Sequence, residues 1–362
     1  MKPKIWLFST PIDVLGLGLP VWLTWLVCFL LPESFLHQPL PLWMWVVFIL
    51  GIDVSHVWST IFRTYLDGEE FRRHHKVLIF TPLLVFAILF TVALYSTLWF
   101  WRVMAYMALH HFIKQQYGFL AIYRAKYGLK KMKIFSDKWV IYLAMLYPVV
   151  FWHLDGKREF NWFVKGDFFV FNHQYIDSIL LIFNYLYWLI LACWLIEEIN
   201  QTRKNQTPIA WGKILWMLTT AGNWYLGIVY FNSDVAFSLT NVVAHGIPYL
   251  TLIFVYVERK KIIKRPNVGH SIGKIAFNIL MMILIVLLLA LTEEYFWDLW
   301  LNRQKTDFFG QFLVYPIPLL QNPIFQAAAL ALLSIPQVSH YIIDGYIWKG
   351  GAKNPDLRAI LN

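Results

Sequence analysis

Runs of apolar residues, separated by short polar breaks, repeat along the whole chain. Each is long enough to cross a hydrocarbon core, which takes roughly 20 helical residues. They predict helices over Val14 to Leu31, Leu42 to Leu66, Val77 to Leu98, Trp99 to Tyr123, Trp139 to Leu154, Tyr175 to Ile196, Ile209 to Phe231, Val235 to Val257, Ile272 to Leu291 and Ile324 to Trp348. No soluble block interrupts them. Residues 1–362 therefore read as a single all-α, polytopic transmembrane bundle of about ten helices. The third and fourth runs abut, and only Ser96, Thr97 and Arg102 mark where the chain would reverse. The opening MKPKIWLFSTPIDVLGLGLPVWL has a basic start and an apolar run without a small-residue cleavage site, so it reads as a retained helix.

Charge then orients the bundle. Lys and Arg are held on the cytoplasmic side of a membrane, and here they cluster on alternate connections. Arg72, Arg73 and Lys76 follow the second run; Arg124, Lys126, Lys130, Lys131, Lys133 and Lys138 follow the fourth. Arg203, Lys204 and Lys213 follow the sixth, and Arg259, Lys260, Lys261, Lys264, Arg265 and Lys274 follow the eighth. The opposite connections are short, balanced or acidic. This alternation predicts ten crossings with both termini cytoplasmic, in the inner (cytoplasmic) membrane of a bacterium. Composition agrees, with 59% hydrophobic and 14% charged residues, a balance that makes lipid the main solvent. The net charge of +10 needs no nucleic acid, because an anionic leaflet favours each juxtamembrane positive group by about 1 kcal/mol. Cys28 and Cys193 lie inside predicted helices without a regular spacing, which argues against a disulfide framework or a thiolate metal site.

The candidate chemistry sits among polar residues that a membrane normally excludes. An ionisable group deep in a bilayer costs several kcal/mol unless it is paired or lines a cavity, so it marks a functional site by default. GIDVSHVW places Asp53 and His56 three residues apart, on one helical face. ALHHFIKQQYGF supplies His110 and His111, with Gln115 one turn further on. LTNVVAHGIPYL gives His245, followed by Gly246 and Pro248, which would mark a helix break on a transporter reading, and QVSHYIIDGYIW gives His340 and Asp344 one turn apart. All four helices are even-numbered and run in one direction. Each histidine lies about 8 to 13 residues before its helix end, which at 1.5 Å per residue places all of them at similar depth. EEFRRHHK adds His74 and His75 beyond the second helix, either as a solvated basic edge or as ligands of a second ion. His37, His153, His173 and His270 fall at helix ends or in loops, where a satisfied surface role is the default.

Neutral imidazole is the commonest metal ligand, and imidazole with carboxylate and no cysteine suits iron, zinc, copper or manganese. The reading is an iron centre of one or two ions, held by His56, His110 or His111, His245, His340 and Asp344, with His74 or His75 completing a second ion. Asp53 would orient a ligand histidine, and Gln115, Tyr117, Tyr249 or Tyr341 would hydrogen-bond the activated oxygen. The motifs DVSH, RRHHK, LHHFIKQQYG, AHGIPY and SHYIID resemble, in architecture and ligand type, the integral-membrane histidine-box proteins: fatty-acid desaturases, hydroxylases and alkane monooxygenases. Their HxxxH and HxxHH boxes are absent here, and these histidines are spread singly over four helices and lie deeper. Membrane carotenoid-cleaving oxygenases, with dispersed histidines, are a comparable resemblance. Both imply an iron-dependent oxygenase acting on a lipid or other hydrophobic substrate, served by an electron donor. Three rival readings stand beside it: a haem electron carrier, a proton or metal-ion transporter, and a metal-free lipid-modifying transferase with a histidine base.

Overall fold

The computed structural model describes residues 4–128, 136–158, 160–171, 175–264, 271–310, 322–351 and 354–361, and all of their regular structure is helical. Lys130, Lys131, Lys133, Arg265, His173 and His270 lie outside the described residues. Every apolar run corresponds to a long helix. In chain order these are α1 (Thr10–Leu30), α2 (Leu42–Arg63), α3 (Gly68–Tyr95) and α4 (Thr97–Tyr127). Next come α5 (Asp137–Leu154), α6 (Ile176–Lys204) and α7 (Trp211–Trp224, continued by a π-helical turn over Tyr225–Tyr230). The last three are α8 (Asp234–Lys264), α9 (Ile272–Asn302) and α10 (Pro323–Ile347).

Seven of these helices, α1, α2, α3, α6, α8, α9 and α10, are long and apolar enough to cross a membrane, which makes the chain a membrane protein. The other three, α4, α5 and α7, are helical but less apolar. For α4 the reason is position. It carries His111, Gln115 and Gln116 on a face buried against other helices, and a helix enclosed by protein has no need of a lipid-compatible surface on that side.

The break between α3 and α4 is a single residue. Ser96 is extended (φ −165°, ψ 126°), and its hydroxyl accepts the Trp99 N–H to start α4. The helices then fold back on each other, with Val85, Leu89 and Ala93 of α3 in one apolar cluster with Phe100 and Met104 of α4.

Polar ties show which helix ends share a face. Lys126, at the end of α4, donates to the carbonyls of Leu7 and Leu361, and Arg259 of α8 also reaches Leu361 (2.9 Å). Arg63, the last residue of α2, donates to the Ile347 carbonyl at the end of α10 (2.7 Å). Arg124 near the end of α4, Asp137 at the start of α5, Glu198 near the end of α6 and Lys213 near the start of α7 form one ion cluster. The even-numbered helices α2, α4, α6, α8 and α10 therefore end on one face.

Burial separates an inner set of helices from an outer one. The apolar windows of α8, α10 and α2 are 72%, 56% and 44% buried, whereas those of α3, α6 and α9 are 22%, 22% and 17%. The inner helices carry the histidines.

Candidate metal centre

Four histidines from four helices meet in the interior. His56 (α2), His111 (α4), His245 (α8) and His340 (α10) are 1%, 4%, 0% and 2% exposed, and each offers a ligand atom no more than 4.8 Å from the other three. Their rings pack mostly edge to face. Centroids are 4.5 Å apart for His56 and His245, 5.2 Å for His56 and His340, 4.6 Å for His111 and His340, and 5.0 Å for His111 and His245.

Local sequence explains how the backbone permits this. Gly246 lets α8 lie directly on α2: a Cβ there would stand 2.4 Å from Ile52 Cγ2, so any side chain would push His245 away from His56. Pro248 lies inside α8 and has no N–H, which leaves the Ala244 carbonyl without its helical partner. Gln116 Nε2 donates to that carbonyl (3.1 Å), and Gln115 Nε2 to the carbonyl of His245 (2.7 Å). The two glutamines thus clamp α4 to α8 at the level of the histidines. The helix predicted over Val235 to Val257 does run through Pro248, and continues to Lys264. Both Asp53 and the approach to His245 lie on or beside π-helical stretches, Trp45–Val54 and Ser238–Val242, widened turns that recur at functional sites.

The accounting of ring nitrogens is unusual for a protein interior. Both nitrogens of His56, both of His245, Nε2 of His111 and Nε2 of His340 are buried without a hydrogen-bond partner. Each such orphan costs about 1–3 kcal/mol, and native interiors pair nearly all of their polar atoms. A single cation would pair four of these atoms at once. Metal–imidazole bonds of roughly 2.0–2.1 Å set ligand nitrogens about 3.3 Å apart around a tetrahedral ion, close enough to the observed spacing for small side-chain movements to close the shell. A porphyrin does not fit in the same way, because the rings lie directly against one another with no planar slot between them.

His110 is exposed on the outer side of α4, so His111 alone of that pair enters the cluster. His74 bonds Asn354 Oδ1 through Nε2 (3.0 Å), and exposed His75 bonds the Arg72 carbonyl (2.9 Å). Neither joins the cluster, and the expected second-ion shell is not assembled from them. Asp344 is also outside the ligand group. Its Oδ1 accepts the Tyr249 hydroxyl (2.6 Å) and lies 3.6 Å from His340 Nδ1. Asp53 Oδ1 lies 3.6 Å from His56 Nδ1, beside the ring it was expected to orient. Gln115 is turned to the backbone of α8 rather than to the space between the rings, although its Oε1 is unpartnered. Tyr341 stacks on His111 (4.4 Å, 23°), and its hydroxyl accepts from Gln337 (2.7 Å). Tyr249 is engaged by Thr60, Asp344 and Trp348, and Tyr117 packs against Tyr142. His153 is satisfied at both nitrogens, by the Val149 carbonyl and the Tyr106 hydroxyl.

Two residues that touch the site carry no motif of their own. Phe112 stacks flat on His245 (3.7 Å, 11°), and Thr60 bonds His340 Nδ1 (2.7 Å). Thr60 lies four residues after His56, so helical spacing is a sequence signal for it, whereas Phe112 follows His111 directly and no spacing singles it out.

No protein-family model, curated protein or solved structure matches the chain.

Proposed function

We propose that this chain is a membrane-embedded oxidoreductase in which His56, His111, His245 and His340 hold one non-haem iron ion. The reaction proposed is an oxygenase-type conversion of a lipid or other hydrophobic substrate. The observation that carries the reading is the set of unpaired imidazole nitrogens, drawn from four helices into one buried cluster. Four neutral imidazoles without thiolate suit iron, and also zinc or copper. Iron is chosen because a bound iron ion supplies dioxygen activation, the chemistry for which a dry, lipid-surrounded site is suited.

The protein's own residues provide the setting. The four histidines hold the ion, and Phe112 and Tyr341 wall two of their rings with apolar surface that excludes water. Asp53 stands beside His56 and Asp344 beside His340, second partners that keep ligand rings oriented. A hydrophobic substrate would approach sideways from the bilayer between helices, and an electron donor would act from the cytoplasmic face. We place that face where the even-numbered helices end and the basic clusters gather. This corresponds to ten crossings with both termini inside, in a bacterial inner membrane.

Elemental analysis and optical absorption of detergent-purified protein test the reading. The expected result is one iron per chain without a Soret band, lost in His56→Ala, His245→Ala and His340→Ala and retained in His74→Ala and His75→Ala. Failure to hold iron after anaerobic loading would overturn it.

A further inference from the structure

The hydrogen bonds around His340 run in one direction, and that direction has a chemical consequence. With Asp344 as a carboxylate, which can only accept, Tyr249 donates its one hydroxyl proton to Asp344 Oδ1 (2.6 Å). Its oxygen is then an acceptor toward its other neighbours: the indole N–H of Trp348 (3.4 Å), a group that only donates, and Thr60 Oγ1 (3.0 Å). For the Thr60–Tyr249 contact to be a hydrogen bond as well, Thr60 then directs its own proton to Tyr249. Toward His340 Nδ1, 2.7 Å away, the threonine oxygen can only accept. A neutral imidazole carries one ring proton. With that proton on Nδ1, the lone pair lies on Nε2, and Nε2 is the nitrogen of His340 that is buried without a partner.

We infer that Thr60, Tyr249 and Asp344 form a directional hydrogen-bond chain that holds His340 as its Nδ1–H tautomer and presents Nε2 as the ligand atom. The inference rests on reading the cluster as a metal centre, and it makes Thr60 and Tyr249 positioning residues. Free imidazole in water favours the opposite tautomer, so an unassisted His340 would turn its N–H toward the ion. The chain reverses that preference with three side chains from three helices, α2, α8 and α10. Thr60 is 5% exposed and Tyr249 1%, so water does not compete for these bonds. It also explains why Asp344, a carboxylate one turn from a ligand histidine, is not itself in the ligand group: its oxygen terminates the chain. His56 and His245 have no such hydrogen-bond partner at either nitrogen, which leaves His340 as a ligand whose donor atom is set before any ion arrives.

The test reads tautomer and metal affinity separately. Protein labelled with 15N-histidine and reconstituted in lipid is examined metal-free by NMR, with His340→Gln assigning the resonance, and cobalt(II) binding is then titrated by optical absorption. Wild type and Thr60→Ser are expected to show His340 protonated at Nδ1 and to bind cobalt(II) alike. Thr60→Val and Tyr249→Phe are expected to show mixed tautomers and cobalt(II) affinity lower by about 10–100-fold, the usual cost of losing an outer partner of a ligand histidine. A wild-type His340 protonated at Nε2 would overturn the inference, as would both Thr60→Val and Tyr249→Phe leaving tautomer and affinity unchanged. Nδ1 protonation in wild type that is lost in Thr60→Val, with no cobalt(II) uptake by either, would uphold the chain while removing the metal reading it was joined to.

Discussion

Lys213, Glu198 and Asp137 are as deeply buried as the four clustered histidines, and the two groups differ in how they are satisfied. At the ends of α4 to α7, Lys213 Nζ lies 2.7 Å from Glu198 and 3.2 Å from Asp137, while Asp137 also meets Arg124 (3.2 Å) and the Trp194 indole N–H (2.8 Å). Charge is matched by charge, and the group ties four helix ends together. The four-histidine cluster is different: the ligand group holds no carboxylate, Asp53 and Asp344 stand 3.6 Å from His56 and His340 at its edge, and six ring nitrogens are buried without hydrogen bonds. Depth of burial does not distinguish a structural tie from a site. The count of unmet hydrogen-bonding atoms does.

Removing one member from each group should have opposite consequences for stability. The largest effect is expected at the centre: His245→Leu should abolish stoichiometric metal binding. It should also stabilise the metal-free protein by about 1–3 kcal/mol, because an orphaned polar side chain gives way to an apolar one. Elemental analysis and thermal unfolding in detergent check the two halves. Lys213→Met should do the opposite, destabilising the fold by roughly 3–5 kcal/mol by leaving buried carboxylates uncompensated, with metal content per folded molecule unchanged. If His245→Leu destabilised as much as Lys213→Met, the distinction between the groups would fail.

Smaller effects sharpen it. Gly246→Ala places a methyl against Ile52 and should cost about 1–3 kcal/mol by overpacking while weakening metal binding, since it separates α8 from α2. Metal titration alongside unfolding would separate the two consequences. Gln116→Leu should cost about 1–3 kcal/mol because the Ala244 carbonyl loses its donor. Adding Pro248→Ala should recover much of that by restoring a backbone N–H, a coupling that a double-mutant cycle would measure. At the small end, exposed His75→Ala should stay within about 0.5 kcal/mol of wild type and keep its metal.

The helices were legible because lipid leaves an apolar run as the only economical spanning pattern; even the reversal at Ser96, marked by little more than three polar residues, lies where the runs abut. Similar depth also singled out His56, His245 and His340, because depth along parallel helices is a one-dimensional quantity that residue counting supplies. Rotation about a helix axis is different. His110 and His111 are adjacent, and only the packing of α4 against α8 and α10 decides which faces inward. His74 and Asp344 look like ligands by residue type, but their partners, Asn354 and Tyr249, are distant in sequence. Gln115 resembles a catalytic amide until Pro248 on another helix is seen to disturb the backbone it meets. Contacts between helices, rather than within them, account for each of these differences.

The most direct measurement is X-ray absorption at the metal edge of the purified, iron-loaded protein in lipid. The account predicts a single shell dominated by about four imidazole nitrogens at roughly 2.0–2.2 Å, collapsing in His340→Ala. A first shell of sulfur or mainly carboxylate oxygen, or a spectrum unchanged by that substitution, would contradict it.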